Sequence, residues 1–510
     1  MCGLAGCYGA KDVDVRAMTR KLAHRGPDGT GVTEARNGTL GHCRLAILDV
    51  DGGRQPMRGD ESAIVYNGEV YNHAHLRETL LRDQVFNTRT DTETILRLYE
   101  PLGPDCARLL DGMFAIAIIS DDALFLARDP LGIKPLYYAT KRNTLYFGSE
   151  IKALKEVGAN IREFPPGWWY HSAKGWQEFG RLGDLQGLPP CREPDLDWNR
   201  LMDSPFHEEE ALHALRLVLS RAVLKRLMSD VPVGVSLSGG LDSSIVCALA
   251  HQGLERLDTF SVGVKGSADR EAAYAVSRHL GTIHHDLEYT MEDMIRALPE
   301  VLYYLESFDP ALVRSAIPNF FLARLASQFV KVILTGEGAD ELYAGYEYLR
   351  RFQDPSDLRT ELQAITRSLH HTNLQRADRM GMAFGLEARV PFLDLRSIAL
   401  AWLIPVECKV PTAARPEKDL LRRAFAELIP DFVVRRPKQK FSAGAGSSEL
   451  ITQYANETIS DQEFGREMER LRSDWNYVLL DKEALYYYRI LRQYYDDADI
   501  LPNMGASRSI

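Results

Sequence analysis

The chain lacks the features that would place it in a membrane, on duplex nucleic acid or in a disulfide-stapled secreted domain. No run of about 18 consecutive apolar residues occurs, so no membrane-spanning helix is expected. The opening MCGLAGCYGAKD turns polar too soon for a signal peptide. Positive charge is in deficit: 61 Lys and Arg stand against 71 Asp and Glu, a net charge of -10. Duplex DNA demands a positive field, so nucleic acid is not an expected partner. Cysteine is scarce and scattered, with seven residues, an odd number, and no CxxC pair. A disulfide framework and a zinc site are therefore not expected, a reducing cytoplasm is, and every cysteine but Cys2 reads as a small buried hydrophobe. No repeat of 20–50 residues is present. What remains is 510 residues, 45% hydrophobic and 26% charged, enough for two or three globular domains.

The first 185 residues carry short apolar runs broken by turn signals: RLAILDV (44–50), SAIVYNGEVYN (62–72), MFAIAIIS (113–120), ALFLARD (123–129) and TLYFGSE (144–150). These read as strands, with helices at 75–83 and 91–103 between them, giving an α+β sandwich of sheets with helical cover. The proline-rich stretch at 186–208 reads as a linker. From 209 to 500 an amphipathic helix is followed by alternating strands and helices at 231–238, 242 onward, 257–264, 269 onward and 330–336. That alternation predicts an α/β domain with a parallel sheet and a helical C-terminal part. Residues 501–510 read as a loose tail.

The strongest chemical signal is GVSLSGGLDSSIVCALA (234–250), a strand that ends at Leu237 and turns into a helix. Gly239 and Gly240 let backbone N–H groups approach a ligand, the helix start offers unpaired donors, and Ser238, Ser243 and Ser244 add hydroxyls. Together they form a cradle of pyrophosphate size, beside which Asp242 is placed to hold Mg²⁺. No lysine follows the glycines, so this is not the P-loop; the string resembles the loop of the ATP pyrophosphatases, which cleave ATP to AMP and pyrophosphate. A second strand end, VILTGEGADELYAGY (332–346), crowds Glu337, Asp340 and Glu341 at a glycine turn. Three carboxylates beside a triphosphate call for Mg²⁺ or a cationic partner.

Cys2 becomes the first residue once the initiator Met is removed. Its thiol then lies next to a free amine of pKa about 8, which serves as its own general base. An amino-acid substrate needs a cation for its carboxylate, a carboxylate for its ammonium and donors for an oxyanion. Arg44, Asp91, and Asn67 with the Gly68 N–H suit these roles in turn.

Taken together, Cys2, HRGPDG (24–29), RLAILD (44–49), NGEVYN (67–72), DGMFA (111–115), RDPLGIKPLYY (128–138) and SEIKAL (149–154) resemble the class II glutamine amidotransferase domain, an N-terminal-nucleophile αββα sandwich. SGGLDSS (238–244), TGEGADE (335–341), LEARVPFLD (386–394), EKDLLRRAF (417–425) and RPKQKFS (436–442) resemble the synthetase domain of the glutamine-hydrolysing asparagine synthetase family. The resemblance implies that Cys2 attacks the glutamine amide through a glutamyl thioester and releases ammonia. It also implies that ATP activates aspartate as its β-aspartyl adenylate and that ammonia displaces AMP. Arg44, Leu45, Ala46, Ile47, Leu48, Asn67, Gly68, Glu69 and Asp91 match glutamine-binding positions. Leu237, Val262, Thr335 and Gly336 match ATP contacts, and the 238–244 loop holds pyrophosphate. Lys418, Arg436 and Lys438 match basic residues suited to phosphate charge. Glu337 matches a residue near the adenylate. Arg314, Glu337 and Asp340 are the expected acceptor-site residues, and Asp242 and Asp340 the expected metal ligands. A homodimer and a dry passage for ammonia are further implications. Two positions depart from the family pattern: Cys43 replaces a glutamate, and Ala311-Leu312 replaces a Thr-Thr pair ahead of Arg314. The second raises the alternative of another carboxylate acceptor.

Overall fold

The computed structural model describes residues 2–10, 14–120, 123–158, 160–192, 196–198, 201, 206–412, 415–436 and 448–505. Two antiparallel six-stranded sheets build the first part of the chain. One runs in the order Arg162–Glu163, Tyr137–Lys141, Thr144–Gly148, Gly3–Tyr8, Gly38–Arg44, Gly29–Ala35. The other runs Gly175–Glu178, Trp168–His171, Ala123–Arg128, Gly112–Ser120, Ser62–Val70, Met57–Arg58. Strand Gly112–Ser120 explains why its sequence is continuously apolar rather than alternating. Ala115, Ala117 and Ile119 pack between the sheets against Leu4, Leu40 and Phe147. Phe114, Ile116 and Ile118 pack on the opposite face beneath helix Asp91–Leu102, with Ile95, Leu96 and Tyr99. A strand covered on both faces has no use for polar residues. Helix Val15–Arg20 covers the outer face of the other sheet through Val15 and Met18, completing the αββα sandwich.

The second part is a five-stranded parallel sheet, ordered Ile283–Glu288, Asp258–Gly263, Val233–Ser236, Val332–Leu334, Glu387–Arg389. Helices Leu241–Gly253, Ala268–Leu280 and Pro310–Ala326 flank it. The two outer strands were not legible in sequence: Ile283–Glu288 is a polar edge, and Glu387–Arg389 has three residues, two of them charged.

Two expectations are corrected. The run RLAILDV is not a strand; the strand Gly38–Arg44 ends where the run begins. Leu45 and Ile47 are apolar because they cross to the second domain and bury against a core shared with Leu237, Val390 and Phe392. The C-terminal tail starts later than 501. Leu501–Asn503 is a helical turn with Leu501 buried, and Asn503 Nδ2 donates at 3.0 Å to Ile161 O, just ahead of strand Arg162–Glu163. Residues 506–510 lie outside the described residues.

The two parts meet through buried charge as well as apolar surface. Arg25, fully buried, holds Asp378 through Nη1 at 2.8 Å and Nη2 at 3.0 Å, and Glu150 through Nη1 at 2.6 Å. Arg379 bridges Glu150 and Glu306, each at 3.0 Å, and Lys152 contacts the same two carboxylates. Glu163 receives His370 Nδ1 at 3.0 Å, His371 Nε2 at 3.1 Å and Arg128 Nη1 at 2.7 Å. Removing one member of a buried pair strands the other charge and costs about 3–5 kcal/mol, so these contacts fix the two domains in one arrangement.

Candidate active sites

Cys2 sits at the head of strand Gly3–Tyr8, buried, with its backbone nitrogen donating to Asn67 Oδ1 at 2.9 Å and its carbonyl accepting from Arg25 Nε at 3.0 Å. Burial pushes the Cys2 thiol pKa up, so the resting sulfur is protonated and requires a base. Holding Asn67 by its oxygen leaves the amide Nδ2 buried without a hydrogen-bond partner among the described residues. A buried donor without an acceptor is costly in a resting protein and is what an oxyanion hole requires. Gly68 follows with a backbone at φ 152°, and a Cβ there would lie 1.9 Å from Met113 O. Gly68→Ala is accordingly expected to displace Asn67 and lower glutaminase kcat by about 10²-fold or more, the effect of losing one oxyanion donor. A glutaminase assay on folded variant checks this.

Around this centre, Arg44 is anchored by Leu48 O, Asp49 O and Val50 O at 3.4, 2.7 and 2.7 Å, which shapes the 45–50 crossing. Asp91, buried at the start of its helix, accepts from Tyr66 Oη and Val70 N at 2.9 and 2.8 Å. Glu69 is buried 3.5 Å from Arg389, whose Nε also donates to Glu387 at 2.6 Å. Burial, with Glu387 and Asp91 nearby, holds the Glu69 carboxyl well above the usual carboxylate range. Arg389 and Glu387 belong to the second domain, so the floor of the thiol centre is shared.

The second centre is a cavity of about 790 Å³ at the carboxyl ends of the parallel strands, where open α/β sheets bind ligands. Its rim is the 238–244 loop. Ser238 N donates to Ser243 Oγ at 3.2 Å, and Ser243 Oγ donates to Gly240 O at 3.2 Å, closing the turn. Gly239 adopts φ 68°, a conformation glycine permits, and a Cβ there would also strike the backbone of Ala272 at 2.5 Å. Gly336 presses the neighbouring strand end against the loop; its Cβ would meet Ser243 N at 3.1 Å. Arg436, on the cavity wall, secures the loop by donating to Gly239 O at 3.1 Å and Asp269 Oδ1 at 2.8 Å. Lys438 and the rest of its string lie outside the described residues.

Lys418 is the central cation. It is buried in an αL backbone at φ 56°, and its Nζ lies 2.5 Å from both Asp242 Oδ2 and Asp340 Oδ1. The two carboxylates raise its pKa against burial, so the ammonium stays charged. Glu337 is ion-paired with Arg376 at the cavity wall. Burial and Asp340 push the Glu341 carboxyl up to about 7, and it accepts from Tyr346 Oη and Asn373 Nδ2 at 2.5 and 3.0 Å.

Residues 1–166 match the glutamine amidotransferase domain family, and residues 214–357 and 350–501 match the asparagine synthase family. A glutamine-hydrolysing asparagine synthetase of Arabidopsis thaliana is 36% identical over 97% of this chain and 88% of its own length. Asparagine synthetase B of Escherichia coli is 34% identical over 97% and 91%. The chain belongs to the glutamine-hydrolysing asparagine synthetase family. Among solved structures, an allosteric regulatory enzyme of purine biosynthesis is similar at TM-score 0.32 and 18% identity, covering 56% of this chain and 80% of its own.

Against the pattern of that family, the departure at Cys43 falls on the strand beside the thiol centre, where Gly3 pairs with Cys43. Cys43 Sγ donates to Thr19 O at 3.2 Å and packs under helix Val15–Arg20, whereas Arg44 takes the opposite face of the strand. Ala311, Leu312 and Arg314 do line the cavity. Arg314 forms a bidentate pair with Glu483 at 2.8 and 2.6 Å. Val262 is buried in its strand, and Ser244 lies buried within its helix rather than on the cavity wall. All seven cysteines are free, though Cys191 and Cys408 are only partly buried, which corrects the expectation that they are core residues. The sequence marked Arg25 only within the HRGPDG string, with no role, and did not mark Arg376, Asn373, Asp378 or Glu483. Each acts through a partner distant in the chain, and no local spacing marks it.

Proposed function

We propose that this chain makes asparagine from aspartate, ATP and glutamine. The observation that carries the reading is a match to glutamine-hydrolysing asparagine synthetases along 97% of the chain, with a thiol centre and an ATP-type cradle both intact. With Met1 removed, the Cys2 nitrogen is an α-amine that takes the thiol proton as sulfur attacks the glutamine amide carbon. Asn67 Nδ2 and Gly68 N–H receive the oxyanion. The intermediate expels ammonia as the amine returns its proton, and water then hydrolyses the thioester to glutamate. Glu69, Asp91, Arg44 and residues 45–48 orient the glutamine.

In the cavity, the 238–244 loop, with Lys418 and Arg436, takes the leaving pyrophosphate as a β-carboxylate oxygen of aspartate attacks the α-phosphorus. Leu237, Val262, Thr335 and Gly336 frame the nucleotide, and Glu337 and Arg314 face the acceptor. Ammonia attacks the acyl carbon and AMP leaves with the former carboxylate oxygen. Asp242 and Asp340 offer hard carboxylate oxygens that already bracket the Lys418 cation, a donor set that fits Mg²⁺. When bound, Mg²⁺ supplies charge neutralisation on the phosphates. Ammonia must arrive unprotonated, and the apolar Leu45, Ile47 and Leu237 seam suits its transfer.

The domain division follows 2–185, 186–208 and 209–500. A cytoplasmic setting accords with seven free cysteines, and among the described residues no helix is long and apolar enough to cross a membrane. The homodimer rests on family resemblance.

The test is a product balance. Aspartate, glutamine and ATP should give asparagine, glutamate, AMP and pyrophosphate in equal amounts; ADP with inorganic phosphate would overturn the reading. A second reading, another carboxylate acceptor, is favoured by Ala311 and Leu312 on the cavity wall. Pyrophosphate release across a panel of carboxylates decides between them.

A further inference from the structure

The thiol centre and the cavity are joined by a short chain of direct contacts. Arg25 Nε donates to the carbonyl of Cys2 itself at 3.0 Å. The same guanidinium grips Asp378 with two parallel hydrogen bonds, at 2.8 and 3.0 Å. Asp378 lies on helix Asn373–Met382, two residues from Arg376, which pairs with Glu337. Arg376, Ala377 and Gly381 line the cavity, so this helix presents one face to the adenylation site and another to the thiol domain. Arg25, Asp378 and Arg376 are all buried, and buried bidentate pairs are rigid and directional. A helix moves as a unit, so a shift of Arg376 that follows a change at Glu337 moves Asp378 with it.

We propose that the Arg25–Asp378 pair is the positioning element through which the state of the adenylation cavity sets the geometry of Cys2. Neither residue lines the cavity; both act through Cys2 and Arg376. When Glu337 exchanges its pairing as substrates fill the cavity, the 373–382 helix resets Arg25. The Cys2 backbone then turns its thiol and amine toward the glutamine amide. Hydrolysis is thereby timed to the presence of an acceptor for the ammonia. The inference rests on the proposed two-site reaction.

The experiment measures glutaminase with and without ATP and aspartate, together with the ratio of glutamate to asparagine formed, in the full-length wild type and in Asp378→Asn. Wild type must first show both activities, and their absence would count against the proposed function rather than against this pair. In Asp378→Asn, ammonia-dependent synthesis is expected within about threefold of wild type, the cost of losing charge at a site remote from the reacting atoms. Any stimulation of glutaminase by ATP and aspartate should disappear, and the glutamate-to-asparagine ratio should rise several-fold. A role in folding alone would lower both half-reactions together and leave the ratio unchanged, and that result overturns the proposal. So does a wild-type response to ATP and aspartate in the variant. Arg25→Lys guards against a folding failure of the first variant. It keeps the buried charge but cannot hold Cys2 O and both Asp378 oxygens at once, and it is expected to raise the ratio likewise.

Discussion

Cys2→Ala is expected to lower glutamine-dependent synthesis on the order of 10⁴-fold or more, the scale of losing a covalent nucleophile, while synthesis from free ammonia persists. Cys2 lies in a centre of its own: its backbone nitrogen donates to Asn67, its carbonyl accepts from Arg25, and its thiol faces Leu45 O. None of these lines the 790 Å³ cavity. Alanine removes sulfur without adding bulk, so the Asn67 contact to the backbone nitrogen remains. Steady-state rates with glutamine and with ammonium chloride separate the two effects. Loss of the ammonia-dependent rate as well would mean that the sulfur also serves the synthesis step.

Asp242→Ala is expected to produce the reverse. Asp242 shares Lys418 with Asp340, and Lys418 is buried. Removing one carboxylate leaves a buried ammonium with a single counter-charge and takes away a proposed Mg²⁺ ligand. Each interaction that neutralises charge at a transferring phosphoryl group is worth about 10²–10³ in rate. Loss of both should reduce pyrophosphate release by at least that factor, with glutamine hydrolysis in the absence of ATP unchanged. Pyrophosphate-release and glutaminase assays on the same preparation read both. A glutaminase that falls in step would point to a general loss of structure instead.

Much of this was legible in the sequence because it depends on local strings. The SGGLDSS turn, the continuously apolar strand at 113–119 and the three carboxylates at 337–341 carry their geometry in consecutive residues. What escaped reading depends on distance along the chain. Arg25 and Asp378 stand 353 residues apart and Arg314 and Glu483 169 apart, and neither pair has a spacing that announces it. The run 44–50 misled for a related reason. Its apolar residues satisfy a partner domain rather than a sheet, and hydrophobic pattern records burial without recording against what. The outer strands of the parallel sheet were hidden by polarity at one edge and by brevity at the other.

The central claim is that nitrogen released at Cys2 is delivered inside the same molecule to an acid activated in the cavity. It is tested most directly by supplying glutamine labelled with ¹⁵N in its side-chain amide, with aspartate, ATP and an excess of unlabelled ammonium in the medium, and determining the isotope in the asparagine formed. Label retained in the product well above its share of total free ammonia is the expected result. Label diluted to that share would contradict delivery within the molecule.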